Sequence, residues 1–338
     1  MALTKVKTGV VDDSVFAANK NVIINGNFDI WQRGTSFIAP ASADYTADRF
    51  IWGAGGTGVV DVLQSTSVPD NTSEFSLQVD VTTADTSIAA GDNYAIQTRI
   101  EGYDLQRFGF GSSDATSLTL SFWVLSSKTG IHCISLKNND STRSFIIEYT
   151  VNVADTWEYK TNTLTADTTG TWLADNGTGI KIIFNLAAGS TFHTTAGSWT
   201  AGNFLSSSNQ VNVMDSTANN FHLSRVQLEV GSAATAFERR SFAQEFAMCQ
   251  RYYAISEIIY LSGDGDTGST NRSYTTSAKW PVQMRTSPSL TKSGESLSNA
   301  ISVAVEISRQ EGCRVLVRAP TVLNDWSSEV SVIADAEL

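Results

Sequence analysis

The sequence predicts an all-β protein: a large sandwich of two antiparallel sheets, one helix, and then a smaller β domain. Three observations lead there. Apolar residues recur at alternate positions, as in Phe75, Leu77, Val79 and Val81 and again in Leu118, Leu120, Phe122 and Val124, the period of strands with one buried face. Charged residues make up only 17% of the chain against 41% hydrophobic, and Ser, Thr, Asn, Asp and Gly crowd much of the rest, a composition of strands and turns. A single segment switches to the helical period.

The 338 residues suffice for two or three packed domains. The net charge of −11 excludes a duplex DNA partner, since nothing in the chain could neutralise a row of phosphates. Eight Trp, nine Tyr and sixteen Phe exclude a disordered chain. No run approaches the roughly 18 apolar residues of a membrane helix, and the N-terminus lacks the apolar core of a signal peptide. Synthesis in a cytoplasm is therefore expected. Cys133, Cys249 and Cys313 lie far apart and are read as reduced, packed thiols. His132, His193 and His222 are equally scattered.

Taken in order, residues 1–20 are short, mixed in charge and weakly patterned, with Leu3, Val6, Val10 and Val11 as apolar anchors. Such a segment cannot form a core alone and is read as docking on a partner. Residues 21–237 carry the strand period. The runs 143–151 and 179–187 are β-branched or aromatic between Gly, Asn and Asp clusters. In 221–228 the apolar set is Phe221 and Leu223, then Val226 and Leu228, and this change of parity predicts a β-bulge near Ser224–Arg225. Loops are expected at 83–92, 164–178 and 188–210, and long loops on a sandwich are where binding usually occurs. Ser241 and Gln244 form a capping box, and Phe242, Phe246, Cys249 and Tyr253 then share one helical face. The spacing predicts a helix over about 241–253, within a link spanning 238–254. Strand alternation returns with Ile301, Val303, Val305 and Ile307, with Val315 and Val317, and with Val330 and Val332. Residues 255–338 are thus a second β domain, in which 262–272 is a polar tip.

Several short strings occur in order along the chain: Asn25-Gly26-Asn27-Phe28, Trp31-Gln32-Arg33-Gly34-Thr35, Tyr45-Thr46-Ala47-Asp48-Arg49, Val226-Gln227-Leu228-Glu229-Val230-Gly231, Ala234-Thr235-Ala236-Phe237-Glu238, Cys249-Gln250-Arg251-Tyr252-Tyr253 and Pro281-Val282-Gln283-Met284-Arg285. Together they resemble the tail-fibre proteins of tailed bacteriophages. The resemblance implies a virion protein, a homotrimer, with an attachment peptide at residues 1–20 that docks on a tail adaptor or nozzle protein. It implies a carbohydrate-binding-module-like jelly roll over 21–237 and a distal β domain that meets a host-surface glycan or outer-membrane protein. Jelly rolls of this kind often hold a structural calcium between an N-G-x-F-E string and a carboxylate pair in the last strand. Here Arg225 stands about where a carboxylate would be needed, so no metal and no cofactor is expected.

The N-G-x-F and W-Q-R-G strings are read as architecture. Gly26 and Gly34 suit turns with positive φ, Phe28 and Trp31 belong to the core, and Arg33 and Arg49 tie loop oxygens. Cys249 has neither a second nearby cysteine nor a nearby histidine, and is read as packing. Sugar binding calls for exposed aromatic faces with Asn, Asp and Arg around them. The receptor candidates are therefore Trp326, Tyr274, Asn271, Arg272, Asp264, Asp266, Trp199 and Trp172. The virion-attachment candidates are Leu3, Val6, Val10 and Val11. Catalysis is not expected: no parallel β-helix repeat and no G-x-S-x-G string is present. A head or neck fibre and a polysaccharide depolymerase are the competing readings.

Overall fold

Alternation along the strands builds the inner faces of two six-stranded antiparallel sheets. In this computed structural model, residues 19–263, 272–319 and 325–338 are described. Leu3, Val6, Val10 and Val11 lie outside the described residues, as do Asp264, Asp266 and Asn271 of the polar tip. The chain divides into two compact units, Met1–Arg240 and Ser241–Leu338. The predicted link helix falls inside the second.

In the first unit one sheet runs, in spatial order, β1 (Ser36–Ile38), β3 (Val59–Ser65), β4 (Ser76–Thr83), β12 (Asn220–Val230), β6 (Leu118–Ser126) and β9 (Glu158–Leu164). The other runs β11 (Trp199–Ala201), β8 (Arg143–Val151), β7 (Gly130–Asn138), β10 (Thr178–Ala188), β5 (Asn93–Glu101) and β2 (Phe50–Ala54). A short helix, α1 (Gly102–Leu105), follows β5. Chain neighbours repeatedly sit in opposite sheets, so the unit is a jelly-roll β-sandwich. Leu77, Val79 and Val81 from β4 meet Ile180, Ile182 and Phe184 from β10 in one core.

The bulge is where the parity change put it. The pairing of β12 with β6 shifts between Ser224 and Gln227, and Arg225 adopts φ 50°. The bulge swings the Arg225 guanidinium onto the turn before β4. It donates to Asp70 at 2.9 Å and to Ser73 at 2.9 Å, and Ser73 donates in turn to Asn27 at 2.7 Å. Hydrogen bonds from Arg225 and then Thr72 hold the Asp70 carboxyl well below the usual carboxylate range.

The strings 226–231 and 234–238 meet the segment 19–21 in one clasp. Asn21 accepts from the backbone N–H of Leu228 at 3.1 Å and donates to the Val226 carbonyl at 3.2 Å. Glu238 accepts from the N–H groups of Asn19 and Asn21 at 2.6 and 2.8 Å. Its own N–H reaches Gln227 at 2.8 Å. Glu229, 1% exposed, accepts from Gln227 at 2.7 Å and from both the N–H and hydroxyl of Thr235 at 2.9 and 2.7 Å. Asn25 donates to the Asp48 carbonyl at 3.0 Å, and the buried Asp48 carboxylate accepts from the Gln32 backbone and side chain, each at 2.7 Å. Burial raises the Asp48 pKa, against Gln32, Arg33 and Arg49, which lower it.

Gly26 is needed for a different reason from the one predicted. Its φ is not among the positive values; its neighbours Asn25 and Phe28 carry them, each at 60°. A Cβ at Gly26 would stand 2.1 Å from the Val226 carbonyl oxygen. Gly34, at φ 115°, does meet the expectation.

The second unit opens with α2 (Phe242–Gln250), capped as predicted by Ser241 and Gln244. It stops before Tyr253, which begins β13 (Tyr253–Ile255). One sheet joins β13 and β14 (Ile259–Gly263) to one side of β19 (Trp326–Asp335), with β16 (Ser289–Ser298) on the other. The second sheet is β15 (Arg272–Lys279), β18 (Gly312–Ala319) and β17 (Ser302–Arg309). Val315, Val317, Val330 and Val332 share their core. Two predicted positions differ: Ile301 and Ile307 are each 50% exposed; Ile301 lies just before β17, and at Ile307 the strand loses register with β18. Phe242, on the helix face expected to pack on one domain or on neighbouring chains, is 66% exposed within the single chain. Cys133, Cys249 and Cys313 are buried and none is in a disulfide.

Two tests follow from the clasp and the buried histidines. Gly26→Ala forces its methyl into a backbone oxygen and costs about 3 kcal/mol, read as a fall in the urea midpoint of the first unit. His222 is 5% exposed and burial lowers its pKa to about 4, with Asp80 and Asp155 opposing. The unfolded chain takes up the proton first, so this contribution is complete above the unfolded pKa of about 6.5 and is lost as pH falls through about 4. About 3 kcal/mol should disappear over that window. His222→Asn should flatten the pH dependence of the melting temperature there.

Candidate functional site

Strand alternation decides which of the predicted receptor residues reach solvent. Trp326 begins β19 on its inner face, with Ser328, Val330 and Val332. It is 2% exposed and packs at 4.6 Å between ring centroids on half-buried Tyr274. The two rings are part of the core of the second unit and present no face to a sugar. Arg272 is exposed.

Trp172 and Trp199 also turn inward. They meet edge to face at 5.2 Å, and Phe110 and Phe145 complete the group. Their indole N–H groups are spent on the Thr169 and Thr165 carbonyls at 3.0 and 2.8 Å. The crevice beside Phe110 and Trp172 has about 80 Å³, below the usual size of a ligand pocket. The predicted loop 164–178 is pinned as well: Arg143 grips Asp167 with two hydrogen bonds of 2.8 Å. The loop 188–210 contains an unpredicted strand, β11, and crosses the outer face of the β8-β7-β10-β5 sheet.

The described residues form two grooves of ligand size. The one in the second unit, about 340 Å³, lies against the β15-β18-β17 sheet. In β15 the inner positions are Tyr274, Thr276 and Ala278, so Ser273, Thr275, Ser277 and Lys279 stand outward and exposed. Ser277 pairs with Arg314 of β18, which pairs with Glu306 of β17; the Arg314 guanidinium forms an ion pair with Glu306. Arg309 and Glu311 close the groove at the β17–β18 turn. That turn is held by Trp280, whose indole donates to the Arg309 carbonyl at 3.0 Å. Hydroxyls, a lysine, two arginines and a carboxylate thus converge on one concave surface, a set able to donate to and accept from sugar hydroxyls.

The groove in the first unit, about 420 Å³, is lined by Glu148, His193, Thr194, Thr195, Ser207 and Asn209 among others. Asn209 donates to Glu148 at 3.0 Å. His193 bonds the Ala188 carbonyl at 2.8 Å. No Trp, Tyr or Phe lines either groove. Sequence reasoning that sought exposed aromatics therefore missed both. The one available signal was the Ser-x-Thr-x-Ser-x-Lys alternation of 273–279.

The fold defines the class: an all-β protein with a jelly-roll sandwich followed by a smaller β unit. No known protein-family profile matches the chain, and no curated protein sequence does. Similar solved structures include the enzymatically active domain of tailspike protein 4 from bacteriophage CBA120, at 13% identity and TM-score 0.35, covering 63% of this chain and 22% of that one. The chain thus spans less than a quarter of that structure's length. A putative sugar-binding protein from Bacteroides thetaiotaomicron is similar at 12% identity and TM-score 0.35, covering 62% of this chain and 100% of its own. A family 11 carbohydrate-binding module of a Clostridium thermocellum cellulase is similar at 10% identity and TM-score 0.29, covering 58% and 100%.

The burial of Trp326 sets a test. Trp326→Ala should cost the second unit about 3–5 kcal/mol, whereas Thr275→Ala, on the exposed face, should stay within about 0.5 kcal/mol. Denaturant unfolding of the two variants compares them directly.

Proposed function

We propose that this protein is a tail fibre of a tailed bacteriophage. In this reading residues 1–20 dock on a tail adaptor or nozzle protein, and the second unit holds a host-surface glycan. The groove over Thr275, Ser277, Lys279, Arg309 and Arg314 carries the reading, because it joins ligand-sized volume to exposed hydroxyls, cations and a carboxylate. A sugar ring offers hydroxyls at fixed angles, and such a set can pair with several at once.

The ordered strings support the phage assignment, and two of them, 226–231 and 234–238, contribute to the clasp. A homotrimer suits the apolar residues that the second unit leaves exposed: Phe242 at 66%, Ile258 at 71% and Tyr260 at 58%. Three weak sites on one particle would act as a firm attachment by avidity. The protein binds without cutting, and it resides in the virion.

Fluorescently labelled full-length protein applied to a panel of bacterial strains tests this. Adsorption to a subset of strains is expected, with no release of reducing sugar from their polysaccharides and a particle mass of three chains by light scattering. Thr275→Trp fills the groove from an exposed position; it should keep the wild-type melting temperature and abolish adsorption. Undiminished adsorption by that variant would remove the groove from the reading.

A further inference from the structure

The groove over β15, β18 and β17 is left with one positive charge after its own carboxylates are matched. Strand register sets the outer face in rows. Ser277, Arg314 and Glu306 form one row across the three strands, and Lys279, Gly312 and Arg309 form the next. In the first row Glu306 balances the Arg314 guanidinium. In the second, Lys279 and Arg309 are both exposed, and among the described residues neither side chain has an ion pair or a hydrogen bond. Glu311 lines the groove with them and offsets one of the two charges.

Gly312 sits between the two cations. A Cβ there would stand 2.2 Å from the Ala278 carbonyl oxygen, so no side chain can cover this floor. Lys279 and Arg309 flank it, two strand separations or roughly 10 Å apart at the backbone. The turn that carries Arg309 and Glu311 gives three successive carbonyls to hydrogen bonds. Arg309 accepts from the Trp280 indole at 3.0 Å, Gln310 from the Met284 N–H at 2.9 Å and Glu311 from the Trp280 N–H at 3.1 Å. The backbone beneath the site is thus held before any ligand arrives, which lowers the ordering cost of binding.

Ile307 adds an apolar wall. It lines the groove, is 50% exposed and adopts φ 51°, a region that strains a β-branched residue. Neither feature helps the fold, since half of the side chain stays in water and an asparagine would accept this backbone more easily. Strained residues gather at ligand sites, where the surroundings hold them in place. Here the branched side chain offers a surface to the C–H face of a sugar ring. An apolar wall, the hydroxyls of Thr275 and Ser277 and a single net positive charge therefore meet in one groove. One surplus charge matches a monoanion and is too little for a phosphate dianion.

We propose that the groove takes a monoanionic sugar: its carboxylate or sulfate ester lies between Lys279 and Arg309 above Gly312, and the C–H face of its ring rests on Ile307. This rests on the glycan-binding reading of the same groove and names its substrate class.

Labelled full-length protein on an array of defined oligosaccharides tests it. The array carries uronic-acid glycans, the same glycans with each carboxyl reduced to a hydroxymethyl group, sulfate esters and phosphate monoesters. Expected is binding of a carboxylated or a sulfated glycan, and which of the two binds distinguishes the sources of the charge. Binding should fall about tenfold in the neutral counterpart and about tenfold in Lys279→Gln and in Arg309→Gln, as for loss of one charge-assisted hydrogen bond. Both residues are exposed, so both variants should keep the wild-type melting temperature. Ile307→Asn should melt at or above the wild type, because asparagine tolerates positive φ, and should still bind several-fold more weakly; a purely structural residue would not combine the two effects. Equal binding of charged and neutral glycans, or undiminished binding by any of the three variants, overturns the proposal and leaves the glycan reading standing. A preference for phosphate monoesters also overturns it. If nothing on the array binds, the proposal fails, while the glycan reading is judged separately by cell adsorption of Thr275→Trp.

Discussion

The first unit depends on a seam between the beginning and the end of its own sandwich. Residues 19–28 lie along β12, and the segment after β12 folds back to be held by Glu238, Glu229 and Thr235. The seam is made of amides and carboxylates because it joins backbone that belongs to no regular sheet ladder. Each buried N–H there needs an acceptor or costs the desolvation of an unpaired group. Asn21 meets two such needs with one side chain, accepting from Ile23 and Leu228 while donating to Val226. Gly26 is confined by the same seam, since its backbone hydrogen-bonds Val226 at 2.8 Å and leaves no room for a side chain.

A second constraint shapes the outer face of the β8-β7-β10-β5 sheet. The segment 202–205 crosses it and is fastened by side chains that point out of the sheet. Ser144 donates to Gly202, Ser135 to Phe204 and Asn185 to Leu205, at 2.6, 2.8 and 2.6 Å. Leu205 then packs on Ala95 and Ile183. The strap covers the apolar middle of the face. Asn203 of the strap takes the Lys137 ammonium at 2.7 Å, while Glu148 and His193 line the groove of this unit.

The second unit shows why exposed aromatics were a poor guide. A unit of this size has few large side chains with which to fill a core, and Trp326, Tyr274 and Trp280 are drawn inward for that purpose. In β15 what reaches solvent is the polar half of the alternation. The tail of the chain is fixed in the same economical way: Arg285 donates to the carbonyls of Ala336 and Glu337 at 2.7 and 2.8 Å, joining two of the resemblance strings through the Arg251 backbone.

The sequence by itself determined what depends on near neighbours. Period-two alternation marked β4, β6, β8, β10, β18 and β19; the parity change in 221–228 located the bulge; Ser241 and Gln244 located the start of α2. These signals are local because pleat, cap and bulge are set within a few residues. The sites are not local. Arg314 meets Ser277 and Glu306 only through the register of three strands. Whether Trp326 is a platform or a core residue turned on which face of β19 the pairing with β14 and β16 buries. Only the tertiary structure decided these, because strand order and register bring together residues that are distant along the chain and whose relative placement no spacing in the sequence encodes.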